Sequence, residues 1–164
     1  MASSSLRYRY NPLHQDIICA ETAINDLAAT VDSLGASRAM ITCGPTILSA
    51  CDVVPRVQEA LGSRYVGTYS GVAPHSPVDT VEAGAAMAQE TQPDIFISVG
   101  GGSTHDTTKA MAVLLAEGGD IRDYAIIFEP PDKITVPPTP SPKLPILSVP
   151  TTMGCAELAV AGAA

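Results

Sequence analysis

Tryptophan is absent, aromatic residues make up only 4% of the 164 residues, and charged residues only 16%. Positive charge is the scarcest: nine Lys and Arg stand against seventeen Asp and Glu, a formal net charge of −8. A surface for nucleic acid or anionic lipid needs clustered cations, so neither partner is expected. No apolar run approaches the roughly 18 residues that cross a bilayer, so no membrane association is expected. The opening MASSSLRYRY has no apolar h-region, and it does not read as a secretory leader. Cys19, Cys43, Cys51 and Cys155 form no CxxC pair and show no Cys/His ligand spacing. Reduced, partly buried thiols are therefore expected, in a cytoplasmic setting, rather than a disulfide framework or a zinc site.

Hydrophobic residues, in contrast, make up 46% of the chain, enough for one soluble domain with a substantial core. Their spacing alternates between strand and helix. Gln15 to Ala20 reads as a short strand, and Glu21 to Leu34 as a helix with Gly35 at its C-cap. Arg38 to Thr42 is the next strand, closed by Gly44-Pro45. Ile47 to Leu61 has helical spacing ended by Gly62, with a kink or split expected at Pro55. Arg64 to Ser70 is a third strand, and Val78 to Thr91 is an amphipathic helix with Val81, Ala85 and Ala88 on one face. Asp94 to Val99 is almost continuously apolar, as in a strand buried on both faces, and a helix follows from about Thr104 to Glu117. Eight of the fourteen prolines lie between Pro130 and Pro150, which predicts an extended loop ending in a short strand over Leu144 to Val149. Such alternation predicts an α/β fold, a parallel sheet with right-handed crossovers and helices on both faces. Glu157 to Ala164 starts a small-residue helix with no stop signal, so the chain is expected to be cut there.

The chemical signal is concentrated after the most apolar strand. Gly100-Gly101-Gly102 leads straight into a helix, which gathers free N–H groups at a positive dipole end and makes an anion site. The alternative is a flexible corner. Ser103 and Asp106 have the spacing of a capping box, and Asp106 and Lys109 that of a helical ion pair. The same three side chains could instead position a bound cofactor, with Lys109 near a phosphate. His105 in the first turn, together with His14 and His75, forms no metal-ligand pair, and ordinary surface or half-buried roles are expected for all three. Thr151 and Thr152 follow the last strand, where parallel sheets bind ligands, but they also suit an ST-turn or an N-cap.

The run Gly100-Gly101-Gly102-Ser103-Thr104-His105-Asp106-Thr107-Thr108-Lys109 resembles the GGGSxxDxAK signature of the iron-containing (group III) alcohol dehydrogenase superfamily. It departs only at Thr108, where the family usually has alanine. Val72-Ala73-Pro74-His75, Asp79 to Gly84, Glu129 to Lys133 and Pro150-Thr151-Thr152 continue the resemblance in order, across essentially the whole chain. The compact Pro150 to Glu157 segment is similar to the maleylacetate reductase-like branch.

The resemblance implies a Rossmann-like NAD(P) domain over residues 1–150 and the start of a truncated helical metal and substrate domain over 151–164. In the family that helical half carries an Asp and three His for Fe or Zn, ligands that are absent here. The same resemblance gives Gly101, Gly102, Ser103 and Asp106 contacts to the pyrophosphate and the nicotinamide-side ribose, and Gly100 and Lys109 of the same motif are counted with them as cofactor-binding candidates. It places Thr151 and Thr152 toward the phosphate or nicotinamide. Gly44 falls where an acidic residue would favour NAD; without one, NADP is permitted, and NADP(H) is the expected preference. Three functions follow from these residues. The first is the cofactor half of an NAD(P)-dependent alcohol or carbonyl oxidoreductase, inactive alone. The second is a nonenzymatic nucleotide-binding or assembly module. The third is a sibling activity such as a dehydroquinate synthase or glycerol phosphate dehydrogenase. A domain that lacks its packing partner should expose apolar surface, so a homo-oligomer is expected.

Overall fold

The computed structural model describes residues 8–10 and 16–159. Strands β1 (Tyr8–Tyr10) and β2 (Ile17–Cys19) pair antiparallel as a separate ribbon. A 3-10 turn over Ala23–Asp26 runs into helix α1 (Leu27–Ser33), a shorter helix than the apolar spacing predicts. Gly35, at φ +72°, ends it: the Gly35 N–H reaches Asp32 O at 3.0 Å and the Ala36 N–H reaches Val31 O at 3.2 Å.

Strand β3 (Ala39–Cys43) leads to helices α2 (Pro45–Ala50) and α3 (Val53–Leu61). The split therefore falls at Cys51-Asp52, upstream of the proline that was expected to cause it. Pro55 lies in the first turn of α3, where its missing N–H would have found no helical partner anyway. Strand β4 (Tyr65–Tyr69), helix α4 (Val78–Thr91) and strand β5 (Ile95–Gly100) follow as the periodicity predicts. Helix α5 (Gly102–Glu117) starts two residues earlier than Thr104.

The proline-rich stretch is not simply a loop. Strands β6 (Ile127–Glu129) and β7 (Lys133–Thr135) form a hairpin around a cis Pro130-Pro131 bond. Prolines spare Lys133 to Thr135, so these residues keep the N–H donors a strand needs. Strand β8 (Ile146–Pro150) and a 3-10 turn over Ala156–Leu158 complete the described chain. Of the terminal helix expected over Glu157 to Ala164, residues 160–164 lie outside the described residues, and the rest is this turn.

The main sheet has the order β4-β3-β5-β8 and is parallel throughout. Strand alternation divides two cores. Ala39, Ile41 and Cys43 of β3, with Ile95, Ile97 and Val99 of β5, pack with residues of α1 and α3. Met40 and Phe96, one position along, pack with Val81, Ala88, Met111 and Ala112 of α4 and α5. Gly84 permits the close approach of these two helices, since a Cβ there would lie 2.6 Å from Met111 Sδ. Cys43 is fully buried, which pushes its thiol up to about 11, while Cys51 and Cys155 are exposed and all four cysteines are free.

Candidate functional site

The chain goes from β3 outward to β4, then crosses back over β3 to β5. The strand order reverses between β3 and β5, and a crevice opens beyond their carboxyl ends, the place where such sheets bind ligands. The crevice is an open groove of about 370 Å³, lined by residues including Gly44, Pro45, Val72, Pro74, Ser103 and Thr104. Thus Gly44 and Ser103, far apart in sequence, share one cleft. Gly44 has an extended backbone (φ −86°, ψ 157°) that any residue adopts, and a Cβ would stand 3.4 Å from Val72 O. Its glycine is not demanded by conformation.

At Gly100 glycine is demanded. A Cβ would fall 2.3 Å from Thr104 Oγ1 and 2.8 Å from Thr104 Cβ, because α5 folds back directly over the strand end. At Gly101 a Cβ would lie 3.1 Å from Thr152 Oγ1, which brings Thr152 against the turn. The backbone N–H of Thr151 donates to Gly100 O at 2.9 Å, so both threonines stand at the same rim, exposed. Neither caps a following helix: Cys155, at φ +57°, precedes the next turn. The first helical bonds of α5 run from the Thr104 and His105 N–H groups to Gly101 O. The Gly102 and Ser103 N–H groups precede those bonds, at the positive end of a sixteen-residue helix.

The capping box is not formed. Gly101 occupies the N-cap position, and no side chain caps the helix. Ser103 lies inside the first turn, where its hydroxyl accepts the His75 N–H at 3.1 Å, and Ser76 Oγ donates to Ser103 O at 3.1 Å. These two bonds fasten the loop between β4 and α4, whose His75 and Ser76 have φ of +64° and +49°, to the start of α5. Asp106 does meet Lys109, at 3.8 Å. Lys109 does not project freely toward the cleft: its Nζ donates to Ala156 O at 2.6 Å. Burial lowers its pKa, against the attraction of Asp106 and Glu157 for its charge.

His105 corrects a second expectation. It is 1% exposed, and burial lowers its pKa, so the neutral ring is favoured. His75 is exposed, and His14 lies outside the described residues. The His105 Nδ1 is 2.8 Å from Ser98 Oγ in β5. Beside it, Thr108 Oγ1 lies 2.5 Å from Thr42 Oγ1 in β3, 3.3 Å from Ser98 Oγ and 2.7 Å from Thr104 O. A carbonyl only accepts, so Thr108 gives its single proton to Thr104 O and Thr42 donates to Thr108. Thr42, Ser98, His105 and Thr108 thus join both strands of the switch point to α5. The sequence offered one hint of this cluster, the threonine standing where the resemblance expects alanine.

Comparison with known proteins settles the lineage. The family model for iron-containing alcohol dehydrogenases matches residues 14–161. The chain belongs to the iron-containing alcohol dehydrogenase family. It is 32% identical over 139 residues to alcohol dehydrogenase 4 of Saccharomyces cerevisiae, covering 84% of this chain and 34% of that protein. It is 30% identical over 138 residues to lactaldehyde reductase of Escherichia coli, covering 82% and 34%. The crystal structure of sulfoacetaldehyde reductase from Bifidobacterium kashiwanohense, in complex with NAD+, shares the fold at a TM-score of 0.68, with 20% identity over 81% of this chain and 33% of that one. The chain therefore spans about a third of the length of these relatives. Among the described residues no group of three or more His, Cys, Asp or Glu could hold a metal ion, so the family's metal does not fit these residues. No helix among them is long and apolar enough to cross a membrane.

Proposed function

We propose that this chain is the dinucleotide-binding part of an oxidoreductase that passes hydride between NAD(P) and an alcohol or carbonyl compound. The observation that carries this reading is the glycine turn at the switch point. There Gly100 has no room for a Cβ, and two N–H groups that precede the first helical bond of α5 stand at its positive end. When bound, the nicotinamide supplies the hydride donor or acceptor. The residues of this chain bind and orient it. The Gly102 and Ser103 N–H groups donate to the pyrophosphate across Gly101, Asp106 accepts from the nicotinamide-side ribose, and Thr151 and Thr152 flank the nicotinamide end. The adenosine ribose lies near Gly44, where no carboxylate repels a 2′-phosphate, which favours NADP(H) without excluding NAD(H).

The alcohol dehydrogenase and reductase relatives support the substrate class, and the compact Pro150 to Glu157 spacing supports the maleylacetate reductase-like branch. Metal and substrate contacts belong to a helical half beyond Pro150, so this portion alone turns over no substrate. The free thiols fit a reducing, cytoplasmic setting.

Calorimetric titration with NADPH and NADH tests this reading, with Gly101→Asp as control. Saturable binding, tighter for NADPH and abolished by the substituted carboxylate, is the expected result. Binding that survives Gly101→Asp, or no binding of either nucleotide, overturns it.

A further inference from the structure

The segment from Thr151 to Leu158 crosses the rim of the cleft as a strap. Residues 151–155 are exposed, with Met153 99% exposed. One end is fixed by the Thr151 N–H on Gly100 O, at 2.9 Å. The other is held from α5: Lys109 Nζ donates to Ala156 O at 2.6 Å. Between these two points Thr152 rests on Gly101 and Ala156 on Gly102, so the strap lies across the glycine turn itself.

We propose that Lys109 is a positioning residue that clasps this strap over the glycine turn and does not itself touch the dinucleotide. This rests on the nucleotide-binding reading above. The lysine side chain is only 17% exposed, and one of its three donors is already directed at the strap backbone. Its charge faces two carboxylates, Asp106 one turn before it on α5 and Glu157 on the strap. An ammonium held in this way neutralises Asp106, which would otherwise set negative charge near the phosphates, and draws Glu157 inward. A phosphate would have to compete with Ala156 O, Asp106 and Glu157 for this ammonium at a largely buried site. Cysteine in the left-handed region at residue 155 and the half-buried Ala156 show where the strap bends back to meet the lysine.

Hydrogen exchange of the full chain, first without nucleotide, tests the clasp independently of any nucleotide binding. In Lys109→Met the amides of Leu158 and Ala159, which bond to Cys155 O and Ala156 O, should exchange about tenfold faster or more, while those of β5 stay unchanged and confirm the fold. Titration with NADPH should then show affinity weakened by about tenfold, with strap exchange returning to the wild-type rate at saturation. Unchanged strap exchange overturns the clasp. Weakened affinity with unchanged exchange would make Lys109 a direct phosphate ligand instead, and faster exchange with undiminished affinity would remove the strap from the site. If wild-type protein binds no nucleotide, the functional reading fails, while the exchange comparison still decides the clasp.

Discussion

Replacing Thr108 with alanine, the residue the family usually carries, gives a sharp test of the buried hydroxyl cluster. The substitution removes the Oγ1 that lies 2.5 Å from Thr42 Oγ1 and 3.3 Å from Ser98 Oγ. Ser98 keeps His105, at 2.8 Å, and Thr104 O keeps its place as a backbone acceptor in the helix. Thr42 is left with no side-chain partner among the described residues, and both Thr42 and Thr108 are fully buried. An orphaned buried hydroxyl costs about 1–3 kcal/mol, and removing the threonine methyl adds a small packing loss. A destabilisation of about 2 kcal/mol is therefore expected, which for a chain of this size lowers Tm by about 4–8 °C. Urea unfolding followed by far-UV circular dichroism should show the midpoint falling with the m-value unchanged. The decisive comparison is Thr42→Val combined with Thr108→Ala. With both hydroxyls gone nothing is orphaned, so the double variant should recover about 1 kcal/mol or more relative to the sum of the singles. Strict additivity of the two changes, or a Thr108→Ala protein as stable as wild type, would refute the cluster as a source of stability.

The other expectations concern pH and association. Burial lowers the pKa of His105 in the folded chain, so the unfolded chain binds its proton first as pH falls. The associated stability is complete above about pH 6.5, the unfolded value, and is lost as pH falls from there toward the folded value. His105→Asn should flatten this part of a stability-versus-pH curve measured by urea unfolding. Phe128 and Ile134 are cross-strand partners on the β6–β7 hairpin, 59% and 64% exposed, with Ile127 and Val136 exposed beside them. We expect the chain to self-associate through this hairpin, with Phe128→Ser and Ile134→Thr together shifting the mass in light scattering toward monomer. A wild-type protein that is monomeric at all accessible concentrations would contradict this.

The sequence by itself determined the order of strands and helices along the core. A continuous apolar run such as Ile95 to Val99 has no other economical fate than burial on both faces, and Val78 to Thr91 carries its own helical spacing and stop. The glycine turn was legible for the same reason: three glycines after such a strand meet a local steric demand, and Gly100 meets it against Thr104, four residues away. Pro55 misled about the position of the helix break, because a proline signals both a kink and a first turn, and only the packing of Val54, Val57 and Leu61 on the sheet chooses between them. The β6–β7 hairpin was hidden by its flanking prolines.

Only the tertiary structure decided which side chains share a site. Gly44 and Ser103 meet because β3 and β5 are neighbours at the point where the strand order reverses, a property of topology that no local window contains. Ser103 has the spacing of a cap, yet its hydroxyl serves the loop at His75. Lys109 has the spacing of an ion pair with Asp106, and it also holds Ala156, 47 residues along the chain. His105 reads as an ordinary surface or half-buried histidine and is fully buried against Ser98. Spacing fixes which helical face a residue occupies; what stands opposite that face is set by the sheet, and a hydrogen bond needs both.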